Sequence, residues 1–303
     1  MKTVCPPYLN QGDAIALIAP AKYIDVKRID NAVRFFESWR LRVRVGKSVL
    51  SAPAFFSAPD ELRLKDFQEA LDDRMIKAIV CARGGYGSLR ILDQLDFTEF
   101  VKYPKWIVGY SDITAIQVHV GVNYGVASMH GEMPLKYPDF PSTDANLQSL
   151  QTALFGQPYT IAVTSQPENR CGHATGKLVG GNLSMLCSLL GSRSFPDLKD
   201  CILFLEDVDE QLYQIDRLLL SLQRVGVFHK ITGLVLGQFT DIHDNTPSFG
   251  KNVEAMIGEK LTTRNYPVMF NLPSGHTNIN KALILGAEHS IEVNEKRCTL
   301  TLL

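Results

Sequence analysis

Lys105-Trp106-Ile107-Val108-Gly109-Tyr110-Ser111-Asp112 reads as a short apolar strand running into a turn. Ile113, Ile116 and Val120 then recur at i, i+3 and i+7, the spacing of one helix face. The same change of period repeats on either side. Apolar strands are read at 14–20, 41–45, 77–82 and 125–129. Helical patterns fall around Ile29, Val33 and Phe36, over 62–71 and over 88–95. This βαβα rhythm predicts an α/β fold whose N-terminal part is an open parallel sheet flanked by helices.

The texture changes over 136–172, where Pro138, Pro141, Pro158 and Pro167 lie among many Ser, Thr and Gln, with one short helix expected around 145–154. Regular patterning returns at 177–183, and further strands are read at 201–205, 233–238 and 282–286. Leu212, Ile215, Leu218, Leu219 and Leu222 form a helical stripe. The expected organisation is an N-terminal α/β domain over 1–140, a linker over 141–172, and a C-terminal α/β domain with a mixed sheet over 173–303. A chain of 303 residues is long enough for two domains. Its net charge of −1 gives no electrostatic case for nucleic acid or an anionic membrane as partner. Six cysteines with no CxxC spacing read as scattered reduced thiols. One Lys and two Pro precede the apolar run at 14–21, unlike a signal peptide, and no run approaches the roughly 18 residues of a membrane span. A cytoplasmic protein is expected.

Two apparent nucleotide motifs fail. Gly46-Lys47-Ser48 would need glycine where Leu41 stands, and Gly85-Tyr86-Gly87 would need one at Arg90. Other residues offer chemistry. Ser111 at a strand-to-helix junction lies beside unpaired helix-start N–H groups, the arrangement a serine hydrolase uses for its nucleophile and oxyanion; Ser111 or Asp112 would equally serve as a helix cap. Arg83-Gly84-Gly85-Tyr86-Gly87 follows the strand at 77–82, and its glycines let N–H groups converge on an anion while Arg83 offers a carboxylate partner; a tight turn needs glycine as well. Glu206, the first acid after the apolar run at 202–205, is placed to orient a histidine. Glu206, Asp207, Asp209 and Glu210 would also suit a helix N-terminus or a hard metal, although no HxH or HxxxH accompanies them. Of seven histidines, His276 sits in the turn-rich Pro273-Ser274-Gly275-His276-Thr277-Asn278, and His130 ends a strand.

These blocks together resemble the LD-carboxypeptidase family, the muramoyltetrapeptide carboxypeptidases with microcin C self-immunity proteins as relatives. The resemblance runs nearly end to end through Gly12-Asp13 with Ala19-Pro20, Arg83-Gly84-Gly85-Tyr86-Gly87, Gly109-Tyr110-Ser111-Asp112, Gly180-Gly181-Asn182-Leu183, Glu206-Asp207 with Tyr213-Gln214-Ile215-Asp216-Arg217, and Gly275-His276. It implies a metal-independent, cofactor-free serine peptidase with the triad Ser111, Glu206 and His276, and oxyanion donors at the Gly85 and Asp112 N–H groups. It also implies two domains with the site between them, a homodimer, and a murein peptide substrate from which terminal D-alanine is released. Arg83, and less directly His130, would bind that substrate. Glu132 departs from the pattern, since many relatives carry Pro after His130-Gly131; this bears on the local pocket and not on the triad. An immunity-type enzyme would instead hydrolyse an acyl-sulfamoyl adenylate and need an aromatic platform, for which the linker region offers Tyr137, Phe140 and Tyr159 but no Trp. A non-catalytic murein-peptide binder would have no need of all three triad residues.

Overall fold

Short runs of apolar residues buried on both faces form the strands, and amphipathic helices cover them. The computed structural model describes residues 3–50, 54–139 and 144–303. Two units are distinguished, Met1–Gln157 with Lys281–Leu285 and Pro158–Asn280 with Gly286–Leu303. The first begins with β1 (Ala14–Ile18), α1 (Val26–Ser38), β2 (Arg42–Val45), α2 (Asp60–Asp72), β3 (Ile76–Cys81) and α3 (Ser88–Leu92). It continues with α4 (Thr98–Lys102), β4 (Trp106–Gly109), α5 (Thr114–Tyr124), β5 (Ser128–His130) and α6 (Ala145–Leu154). After it come β6 (Thr160–Thr164), β7 (Gly172–Asn182), α7 (Leu183–Ser188), β8 (Ile202–Val208), α8 (Leu212–Arg224), α9 (Val227–Lys230) and β9 (Gly233–Thr240). The chain ends with α10 (Val253–Lys260), β10 (Val268–Met269), β11 (Leu283–Leu285), β12 (Glu288–Val293) and β13 (Arg297–Leu302).

The sheet of the first unit has the order β2-β1-β3-β4-β5-β11. Its first five strands are parallel and β11 runs antiparallel to β5. Ile15, Leu17, Ile79, Val80, Ile107 and Val108 are fully buried, the pattern of a parallel sheet covered on both faces. The strand order reverses direction between β1 and β3. The second unit is a mixed sheet, β10-β9-β8-β7-β12-β13-β6, parallel from β10 to β7 and antiparallel from there on. The fold is thus the α/β class expected, with the two sheet types in the expected order.

Several particulars differ from the sequence reading, in which α4, α9, α10, β10, β12 and β13 also go unread. The sequence pattern places 282–286 with the C-terminal domain, but β11 pairs with β5 in the first unit, Leu283 opposite His130 and Leu285 opposite Ser128. Three buried apolar residues carry no information about which sheet they join. The region expected as a linker holds α6 at the expected place and also β6, an edge strand whose alternate residues are exposed, so no apolar run announced it. Phe140 and Pro141, where the linker boundary was drawn, lie outside the described residues. Finally, β8 does not stop at Leu205 but continues through Glu206 and Asp207, both buried, to Val208. Among the described residues no helix is long and apolar enough to cross a membrane, and all six cysteines are free.

One buried cation holds this frame. Lys105 is 1% exposed, and its Nζ donates to the carbonyls of Ala70, Leu71 and Asp73 at 3.0, 2.8 and 2.7 Å, closing the C-terminus of α2. Lys105→Met leaves those acceptors without their donor and should cost about 1–3 kcal/mol. A urea titration followed by tryptophan fluorescence reads this as a lower midpoint; an unchanged midpoint would contradict the capping role.

Candidate active site

The turn after β4 places Ser111 in the left-handed region, at φ +63°. A serine gains nothing intrinsically from that conformation, so the surroundings must hold it there. Three contacts do so. Gly84 lies against it so closely that a Cβ on Gly84 would stand 3.1 Å from Ser111 Cβ and 3.3 Å from its Oγ. Asp112, 1% exposed, turns its carboxylate away from the helix that follows and accepts from Ser88 N at 2.9 Å and Ser88 Oγ at 2.6 Å. Because Gly87, the residue before α3, has no side chain to cap it, Asp112 caps α3 from a neighbouring loop. Buried Gln117 then ties the ends of β4 and β5 by donating to Gly109 O at 2.9 Å and Met129 O at 2.8 Å. Burial raises the pKa of Asp112, and the hydrogen bonds from Ser88 oppose that rise.

Neither Ser111 nor Asp112 caps α5, whose start carries no side-chain cap. The Ser111 hydroxyl is half-buried and makes no hydrogen bond within this unit among the described residues. The N–H groups of Gly85 and Asp112 likewise donate to no protein acceptor among the described residues. Gly85 is exposed and sits at φ +102°. Arg63, fully buried, secures the glycine loop from beneath by donating to Gly87 O at 3.1 Å and to Pro20 O.

In the second unit Glu206 is fully buried on β8, and its Oε2 lies 2.7 Å from His276 Nδ1. That bond fixes Nδ1–H toward the carboxylate and leaves Nε2 as the acceptor. The loop carrying His276 is held at its backbone as well. Thr240 Oγ1 donates to His276 O at 2.8 Å, and Gly275 N donates to Asn280 Oδ1 at 2.9 Å. Gly275, at φ +120°, must lack a side chain, since a Cβ would stand 2.8 Å from Glu206 Oε2. The other acids diverge. Asp207 points to the opposite face of β8, accepting from Asn182 Nδ2 at 2.8 Å and from Ser184 N and Oγ at 3.0 and 2.7 Å. Burial, together with the neighbouring Glu206 charge, pushes its pKa up to about 6. Asp209 meets His243 at 3.0 Å, and Glu210 accepts from Ser184 Oγ at 2.9 Å. The four acids therefore do not converge as a hard-metal site would require.

Models of the LD-carboxypeptidase N-terminal and C-terminal domains match residues 15–131 and 175–291. The chain belongs to the LD-carboxypeptidase family. It is 33% identical to a probable murein peptide carboxypeptidase of Bacillus subtilis over 97% of this chain and 93% of that protein. It is 26% identical to the microcin C7 self-immunity protein MccF of Escherichia coli over 97% of this chain and 94% of that protein. Among solved structures, the muramoyltetrapeptide carboxypeptidase from Oxalobacter formigenes superposes with a TM-score of 0.86 at 28% identity, covering 95% of this chain and 98% of that one.

The weaker sequence candidates occupy particular places. Arg83 is half-buried and donates through Nη1 to Tyr23 O at 2.6 Å. His130 is fully buried with its ring 5.4 Å from that of Tyr110. Glu132 is also buried; Met133 N donates to it at 3.1 Å and Tyr110 hydrogen-bonds its side chain. Burial raises its pKa. Nothing local in the sequence signalled the Tyr110–Glu132 hydrogen bond, which joins two different strand ends. Gly84→Ala should cut peptidase kcat/KM by about 10²-fold through displacement of Ser111, with the melting temperature nearly unchanged. Full activity would show that the loop does not set the position of the serine.

Proposed function

We propose that this LD-carboxypeptidase family member is a serine peptidase that releases terminal D-alanine from the LD-amide bond of murein tetrapeptide, acting in the cytoplasm as a homodimer during cell-wall recycling. Ser111 Oγ attacks the scissile carbonyl as His276 Nε2 accepts its proton. Glu206 holds the imidazole tautomer and stabilises the imidazolium that forms. The N–H groups of Gly85 and Asp112 hold the oxyanion, where loss of one such donor typically costs about 10²–10³ in rate. The tetrahedral intermediate collapses as His276 returns the proton to the departing D-alanine nitrogen. Water, activated by the same imidazole, then hydrolyses the acyl-enzyme. No cofactor or metal is assigned a step.

The observation that carries this reading is the 2.7 Å contact of His276 with a fully buried Glu206. A binding module would gain nothing from burying a carboxylate against one nitrogen of a loop histidine. The immunity-type alternative draws on the MccF relative and on two exposed rings beside the glycine loop, Phe55 and Tyr86, 6.5 Å apart. Of the aromatic residues considered from sequence, Tyr137 is fully buried and Tyr159 is hydrogen-bonded to His289, so neither supplies that platform; Phe140 lies outside the described residues.

Mass spectrometry of a murein tetrapeptide incubated with the protein should find one D-alanine released. Ser111→Ala should lose about 10⁴-fold or more of that activity, and Glu206→Gln about 10³–10⁴. Activity retained by Ser111→Ala would sink the mechanism. Exhaustive treatment with a chelator should leave the rate unchanged; a rate abolished by chelation and restored by a divalent cation would transfer the chemistry to a metal. Hydrolysis of an acyl-sulfamoyl adenylate but not of the tetrapeptide would favour the second reading.

A further inference from the structure

Open parallel sheets bind ligands outside the carboxyl ends of their strands, where the strand order reverses. In the first unit that point lies between β1 and β3. Two segments leave the sheet there, Ala19-Pro20-Ala21-Lys22 and Ala82-Arg83-Gly84-Gly85, and they are fastened together. Lys22 N donates to Gly84 O at 3.4 Å, and Arg83 Nη1 donates to Tyr23 O at 2.6 Å. The stem of Lys22 lies on Gly85, where a Cβ would stand 2.5 Å from Lys22 Cδ. Gly84, the next residue back, lies against Ser111. The order in space is therefore Ser111, Gly84, Gly85, Lys22.

The ammonium at the end of this row is half-buried and lies 4.9 Å from the centroid of the Phe55 ring, a residue 59% exposed. Among the described residues no carboxylate pairs with it, whereas Arg44, Arg74, Arg90 and Lys102 of the same unit each have one. A half-buried cation restrained by an aromatic face, and without an anion of its own, is arranged to take one from outside.

We propose that Lys22 is the residue that binds the terminal carboxylate of the substrate, with Arg83 bracing the segment that carries it. This rests on the carboxypeptidase reading. In such a substrate the carboxylate carbon is three bonds from the scissile carbonyl carbon, roughly 3–4 Å by standard bond lengths, with its oxygens about 1 Å further out. The cation that recognises it must therefore lie just beyond the oxyanion donors, which is the place Lys22 holds relative to Gly84 and Gly85. Arg83, expected from sequence as a carboxylate partner, commits one N–H of its guanidinium to Tyr23 O and in this proposal braces the segment that carries Lys22.

Calorimetry tests this without turnover. The ligands are a murein tetrapeptide ending in D-alanine and its C-terminal carboxamide, and the proteins are Ser111→Ala and Ser111→Ala/Lys22→Met. Ser111→Ala should prefer the acid to the amide by about 10–100-fold, the range of a charge-assisted contact. The double variant should bind both weakly and alike, and Lys22→Arg should restore most of the preference. A preference that survives Lys22→Met, or no preference in Ser111→Ala, would overturn the assignment. Should the methionine variant fail to fold, Lys22→Gln keeps the stem over Gly85 and answers the same question. D-alanine release by the wild type is read separately. A wild type that discriminates acid from amide yet releases nothing would refute the peptidase and leave the role of Lys22 standing.

Discussion

The backbone of Ser111 in the left-handed region is the constraint around which the first unit is organised. Such a conformation costs of order 1–3 kcal/mol and persists only where its surroundings over-determine it. Gly84 pressed against the side chain, Asp112 capping a helix from an adjacent loop, and Gln117 tying the ends of β4 and β5 together supply that determination. Each device spends a residue on placing another one: Gly84 has no side chain, buried Asp112 is occupied with Ser88, and buried Gln117 with two backbone carbonyls. The outcome is a hydroxyl flanked by backbone donors that the fold leaves uncommitted.

The second unit solves a different problem, which is to aim one nitrogen of a histidine. His276 is held by its ring through Glu206 and by its carbonyl through Thr240, and Gly275 lets the loop come close enough for both. Burying Glu206 beside Asp207 places two acids at adjacent positions of one strand. The pleat separates them, one face taking the histidine and the other the start of α7, so that like charges at neighbouring positions serve two unrelated purposes.

Sequence reasoning reached Ser111 because a change of period from strand to helix is local, and reached His276 because turn residues cluster around it. It reached Glu206 for a partly mistaken reason, as an acid following a strand, when the acid is inside β8. Charged residues are depleted in buried strands, and only a partner 70 residues away accounts for this one. The strained φ of Ser111 was not legible, since nothing local to a serine demands it. Nor was the sheet that β11 joins, since its partner strand lies far back in the chain, or the place of Lys22, which looks like any surface lysine until Gly85 is seen beneath its stem. What escaped the sequence is in each case a contact between segments distant in the chain, which composition and period do not encode.

The proposed mechanism makes Ser111 a nucleophile activated by the imidazole that Glu206 orients. Labelling with a fluorophosphonate, followed by peptide mapping, tests it most directly, because the reagent reports nucleophilicity without requiring that the substrate be known. A single adduct on Ser111 is expected in the wild type, and its loss in His276→Ala, where the serine is intact but has no base. An adduct on another residue, or equal labelling of Ser111 in the absence of His276, would contradict it.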